Sequence, residues 1–363
     1  MTIIRMDRKA CGAAALLALL AACAGVAEQQ VQESAPDRAL SDAAATITPV
    51  DMYARIAFLA SDALAGRDTP SPGLEAAAAY LASEFRALGL EPAGDSGTFI
   101  QRYPYPPPRL GRAGSEQPQR SVGDVARAPN VVALLRGADA ALRDSYIVFS
   151  AHMDHLGIGA PDATGDSIYN GADDDASGTA ALVEIAEAFA AMPQRPARSI
   201  VFLAVSGEED GLLGSLWFSE NPTVPLDGIV ANINIDMIGR NAPDSVVVIG
   251  QEYSTLGPLV QRIAGDRSGE LELVVAADPW PEERFFFRSD HFSFARKEIP
   301  ALFFFAGVHE DYHRPSDEVD EIDPDKAARI GRLIFYTAYE LANAAEPPRW
   351  TPEGLREIRA LSR

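Results

Sequence analysis

Apolar positions recur along the chain in two periods. Up to residue 89 the spacing is helical. Met52, Ile56, Phe58 and Leu59 mark one segment over 49–63. Leu74, Ala77, Ala78, Leu81 and Phe85, near i, i+3, i+4, i+7, mark a second over 74–89. Residues 103–129 are rich in Pro, Arg and Gly and predict a long loop. Short β-branched and aromatic runs follow at 130–135, 145–151, 199–205, 229–236, 245–249, 271–276 and 300–305. Helical stretches lie between several of them, at 176–192, 210–219, 254–266, 289–297 and 324–344. Several strand runs are apolar throughout, as expected where helices cover both faces of a sheet. The pattern predicts one three-layer α/β/α domain over 48–345 with a mostly parallel mixed sheet, then a C-terminal tail or helix over 346–363.

The N-terminus departs from both periods. Arg5, Arg8 and Lys9 precede an apolar run from about Ala10 to Ala22. The run is short of the roughly 20 residues that span a bilayer, and it predicts a signal peptide over 1–22. It ends Leu20-Ala21-Ala22-Cys23, which resembles a bacterial lipobox. That resemblance implies cleavage before Cys23 and a lipid anchor on it. Ala24, where an Asp would imply inner-membrane retention, implies the periplasmic face of the outer membrane. Residues 23–47 are polar, Ala-rich and without periodicity, and are expected to be a flexible tether.

Composition narrows the chemistry. Of 363 residues, 31 are Lys or Arg and 52 are Asp or Glu, a net charge of −21. Such a chain does not coat nucleic acid, which takes clustered cations. Cleavage as expected removes three positive charges and one negative, leaving −23. The two cysteines, Cys11 and Cys23, allow neither a disulfide scaffold nor a four-cysteine zinc site. Any metal site in the domain must be built from nitrogen and oxygen.

Those donors gather where strands end, which is where open α/β sheets place their sites. The run 145–151 leads into His152-Met153-Asp154-His155. In extended chain His152 and Asp154 share a face, so Asp154 is a candidate to orient a metal-bound His152. Asn170-Gly171-Ala172-Asp173-Asp174-Asp175-Ala176-Ser177-Gly178 opens the helix at 176. Capping needs one side chain, and a cation nearby would relieve three adjacent carboxylates. After 199–205 comes Gly207-Glu208-Glu209, in which one glutamate can ligate while its neighbour acts as general base. Asp236 closes an apolar run, and His309 and His313 follow the last strand. Two histidines and three carboxylates, 22, 35, 27 and 77 residues apart, suit a pair of Zn²⁺ ions.

The order His-x-Asp, Gly-Ala-Asp-Asp-x-Ala-Ser-Gly, Gly-Glu-Glu, Asp-Met and Tyr-His-x-x-x-Asp resembles the M28 family of zinc peptidases. The resemblance covers about 48–345, including the stretches 58–73 and 289–305. It implies a zinc-exopeptidase-like fold and aminopeptidase action on peptides with a free N-terminus. It further implies one zinc on His152 and Asp236, a second on Glu209 and His313, and Asp174 between them. By the same resemblance Glu208 is the base, Asp154 the partner of His152 and Tyr312 an oxyanion donor. Ser289-Asp290-His291 is structural support, and the Asp174–Asp175 peptide is expected to be cis. The protease-associated domain that many bacterial relatives insert before the first motif has no room in 103–129. Two other readings stand beside this one: a single-zinc enzyme similar to glutaminyl cyclase, and a non-catalytic binding lipoprotein on the same fold. A serine hydrolase is disfavoured without a Gly-x-Ser-x-Gly elbow, and no His-Glu-x-x-His helix is present.

Overall fold

The computed structural model describes residues 35–105 and 126–361. The signal-peptide and lipobox residues lie outside them. Nine strands of the described residues form one sheet. They are β1 (Glu91–Pro92), β2 (Ile100–Pro104), β3 (Arg127–Leu135), β4 (Tyr146–His152), β7 (Ser199–Val205), β8 (Ile229–Ile235), β9 (Ser245–Ile249), β10 (Val274–Ala276) and β11 (Ala301–Phe305). A separate small ribbon pairs β5 (Gly157–Ile158) with β6 (Ile168–Tyr169). The order is β1-β3-β7-β4-β8-β11-β9-β10, with β2 also on β3. The centre, β7-β4-β8-β11, is parallel. β3 runs antiparallel to β7, and β9 runs antiparallel to β11.

Helices cover both faces, which is why the central strands are buried throughout. Ile147, Phe149, Ile200, Phe202, Ile233 and Phe304 face the larger core, with helices Pro49–Leu59, Pro72–Ala87, Gly178–Ala191, Leu256–Asp266 and Pro324–Asn343. Val148, Val201 and Leu203 face the other side, with Phe218 and Phe294. The alternation within each strand is the two-residue period of the pleat. Three helices start from the same local signal. Thr48, Ser71 and Asp323 each accept a hydrogen bond from the backbone N–H three residues on, at 3.1, 3.1 and 3.0 Å. A proline follows each of them directly.

Two expectations are corrected. The tether expected over 23–47 is ordered from residue 35, where a helix spans Ala35–Ala44. Leu40, Ala43, Ala44 and Ile47 are buried in the main core. Their spacing of three, four and seven is helical, but two of the four are alanines, and among polar neighbours they carry little signal. The expected loop 103–129 is bounded by strand on both sides, since β2 runs to Pro104 and β3 begins at Arg127. Pro129 falls in the part of β3 that pairs with β2 but not with β7, where a missing N–H is tolerated. The C-terminal tail includes a helix, Pro352–Leu361, whose Ile358 is buried with Phe285, Phe286, Phe303 and Phe305. No helix of the described residues is long and apolar enough to cross a membrane.

Candidate active site

The parallel strands all end at one edge, and their ends carry the candidate residues. His152 is the last residue of β4, Glu208 and Glu209 follow β7, Asp236 follows β8, and His313 lies beyond β11. Asp174 comes from the turn that leads into the helix Gly178–Ala191. The loops bring the five proposed ligands together. Asp174 stands at the centre, and its two oxygens face different partners. Oδ1 lies 3.2 Å from His152 Nε2, which is itself 3.6 Å from Asp236 Oδ1. Oδ2 lies 3.1 Å from His313 Nε2, which is 3.2 Å from Glu209 Oε2.

These spacings fit metal ligation. Donors about 2.0–2.1 Å from a tetrahedral zinc stand about 3.3 Å from one another. Imidazole nitrogens and carboxylate oxygens are also the donors that zinc takes. Buried polar atoms at the same place have no hydrogen-bond partner, among them Glu209 Oε1 and both ring nitrogens of His155.

The three adjacent aspartates have separate tasks. Asp173 accepts from Gly239 N at 2.6 Å and faces His309 Nε2 at 3.4 Å. Asp175 accepts from the backbone N–H groups of His152, Gly178 and Met237, at 3.1, 3.0 and 3.1 Å. It therefore ties β4, the helix start and the β8 loop together. Only Asp174 opens into the cleft. The peptide between Asp174 and Asp175 is cis. Asp317 accepts from the backbone N–H groups of Asp173 and Asp174, which fixes the turn from the far side. Ser289 donates to Asp236 Oδ2 at 2.7 Å and accepts from Asn234 at the same distance, so it holds that candidate ligand in place. His291 is buried against Phe286 and Phe303, and burial pushes its pKa down to about 3.

Asp154 differs from its expected role. Its carboxylate is 3.8 Å from His152 Nδ1, beyond hydrogen-bond range. The ring nitrogen meets the backbone carbonyl of Asp154 instead, at 3.2 Å. A backbone carbonyl orients a ligating histidine as well as a carboxylate does. The Asp154 side chain accepts from Glu208 N at 3.4 Å, so it faces the candidate base. Tyr312 stacks on His313 with ring centroids 3.8 Å apart and lines the cleft.

The charges are coupled through burial. Burial raises Glu208 well above the ordinary glutamate range, with nearby Asp290, Glu209 and Asp236 adding to it against His152. Burial likewise raises Asp154 to about 7. Asp174 and Glu209 move the other way. Burial opposes their ionisation, but the histidines beside them hold Asp174 well below the usual range and Glu209 at about 2. Burial would lower His313, yet Asp174 and Glu209 lift it to about 10.

Two residues at the site were given no role in the sequence reading. Arg67 is fully buried, and its guanidinium donates to the carbonyls of Met153, Leu59, Asn170 and Gly171. It joins the loop after β4 to the loop that delivers Asp174. A long cation in a turn follows no hydrophobic period, so only its place inside the family-like stretch 58–73 marked it. His155 is the second, 2.8 Å from Glu209.

Comparisons with known proteins identify the family. A family model described as Peptidase family M28 matches residues 130–338. A protein of Leptosphaeria maculans named "Probable zinc metalloprotease" is 26% identical, over 89% of this chain and 78% of its own length. One of Arthroderma benhamiae named "Probable leucine aminopeptidase" is 26% identical, over 63% of this chain and 65% of its own. In fold, the chain is similar to a zinc aminopeptidase from Bacillus subtilis, with a TM-score of 0.62 at 16% identity, over 81% of this chain and 95% of that one.

Proposed function

The chain belongs to peptidase family M28, and from that premise we propose that it is an aminopeptidase holding two zinc ions. The observation that carries the reading is the placing of Asp174, whose oxygens each face a separate histidine–carboxylate pair. His152 and Asp236 would hold one ion, Glu209 and His313 the other, with Asp174 shared. Zinc bound there supplies an acidified water and a Lewis acid for the scissile carbonyl.

The remaining chemistry belongs to side chains. Glu208 lines the cleft and takes the proton of the attacking water, then delivers it to the leaving amine. Burial keeps the Tyr312 phenol protonated, so it can donate to the oxyanion that develops on the carbonyl. The Asp154 carboxylate accepts from the Glu208 backbone N–H, and its backbone carbonyl meets the His152 ring, so the residue keeps both in place. Action at a free N-terminus is supported by the similarity to a probable leucine aminopeptidase.

Glu208→Gln is expected to lower turnover of aminoacyl-anilides by about 10²–10⁴-fold, with two zincs per chain retained by metal analysis. Cleavage of N-acetylated substrates at the same rate as free ones would remove the aminopeptidase reading. One zinc per chain with cyclisation of N-terminal Gln would replace it.

We also propose that Cys23 carries a lipid anchor that holds the enzyme at the cell envelope, a reading supported by the lipobox-like residues 20–23. Cys23→Ser is expected to move the protein from the membrane pellet to the soluble fraction. Unchanged pelleting would remove the anchor.

A further inference from the structure

The structure holds a third histidine at the proposed metal centre. His155 lies three residues after His152, its side chain has no exposed surface, and its ring meets that of His313 edge-on with centroids 5.8 Å apart. Its Nδ1 is 2.8 Å from Glu209 Oε1 and 3.8 Å from Asp174 Oδ2. Nδ1 and Oε1 are close, yet neither has a hydrogen-bond partner. An imidazole nitrogen and a carboxylate oxygen, both buried and both unsatisfied, cost free energy as they stand. One cation between them would satisfy both. Oxygen and nitrogen atoms of His155, Asp174 and Glu209 all lie within 4.8 Å of one another.

The ring is held in that position. A Cβ at Gly171 would lie 2.5 Å from His155 Cγ and 2.1 Å from the Asp174 carbonyl oxygen, and Gly171 has a φ of +58°. The glycine therefore serves the ring as well as the turn, and the same backbone wall that carries Asp174 stops His155 from swinging away. The backbone carbonyl of Gly171 in turn accepts from Arg67.

We propose that His155 is a ligand of the second zinc, through Nδ1, together with Asp174, Glu209 and His313. The two positions then differ. The first offers one imidazole among carboxylates, and the second offers two. Nitrogen donors favour zinc over harder cations such as Mg²⁺ and Mn²⁺, so the second position is the tighter zinc site and the first empties earlier.

The inference rests on the two-zinc reading, and the test separates the two. Crystals of the zinc-loaded full chain, measured at the zinc absorption edge, are expected to show His155 Nδ1 about 2.1 Å from one ion. Nδ1 more than 3 Å from every ion would overturn the proposal. A single ion per chain would overturn the two-zinc reading alone, provided His155 touches that ion. In parallel, zinc affinity is measured by chelator competition for His155→Phe. Loss of a ligand is expected to weaken one position by more than about 100-fold, beyond the 10–100-fold that loss of a supporting group produces. A change of less than tenfold in a folded variant would overturn the proposal. Where His155→Phe does not fold, His155→Asn and the diffraction measurement on the unmutated chain decide.

Discussion

Arg67 links the chemistry of the site to its framework. Its four acceptors are carbonyls of three segments. Burial lowers its pKa to about 10, with Asp154, Asp175, Asp317 and Asp174 opposing that fall, so it remains charged at neutral pH. Arg67→Met keeps the length and removes the charge and every donor. The expected cost is about 3–5 kcal/mol, the range for stripping one side of a buried charged network. Denaturant midpoints would show it, and a loss below about 1 kcal/mol would mean that water replaces the guanidinium. At this scale the sequence pointed to the residues that meet at the proposed metal centre and gave little sign of their supports. His152, Asp174, Glu208, Glu209, Asp236 and His313 stand at strand ends in motifs with fixed spacing. Arg67 stands in a turn, and what it does depends on carbonyls up to 104 residues away. His155 was visible as a histidine, but the strand rule places it on the opposite face from His152. Its approach to Glu209 depends on how the chain turns after β4.

At the scale of elements, the central strands were read within a few residues because both of their faces are buried, whereas the short or edge strands β1, β2, β5 and β6 were not read. Ser199–Val205 and Ser245–Ile249 keep the expected bounds. The helix Ala35–Ala44 was missed for the opposite reason. Only Leu40 among its buried residues is large, and alanines pack against the core without announcing a face. Leu40 is 6% exposed and belongs to the main core. Leu40→Ala is therefore expected to cost about 2–3 kcal/mol, the lower part of the range for buried leucines, since the rim of a core relaxes more readily than its centre. The check is thermal unfolding of the two full chains side by side. A flexible tether would show no difference, so an unchanged midpoint would restore the original expectation for that segment.

For the molecule as a whole, the acidic excess has a structural consequence at one end of the sheet. Asp154, Asp174, Glu208, Glu209, Asp236 and Asp290 share one small volume beneath the cleft, with the buried cation of Arg67 behind them. Asp290 is fully buried and burial raises it to about 6. Without a cation in front, like charges meet in a poorly screened space, and part of the fold energy opposes their repulsion. Metal binding is then also a contribution to stability. A ligand at about 100 times its dissociation constant adds about 2.7 kcal/mol per site. Chelation is accordingly expected to lower the unfolding midpoint by several degrees, and added Zn²⁺ to restore it in proportion to the zinc bound. Because the proposed ligands come from four of the strand ends and one turn, the loss should appear as a shift of the whole transition. A midpoint that stays fixed while zinc content falls to zero would mean that the fold carries its carboxylates unaided, and that metal serves the chemistry alone.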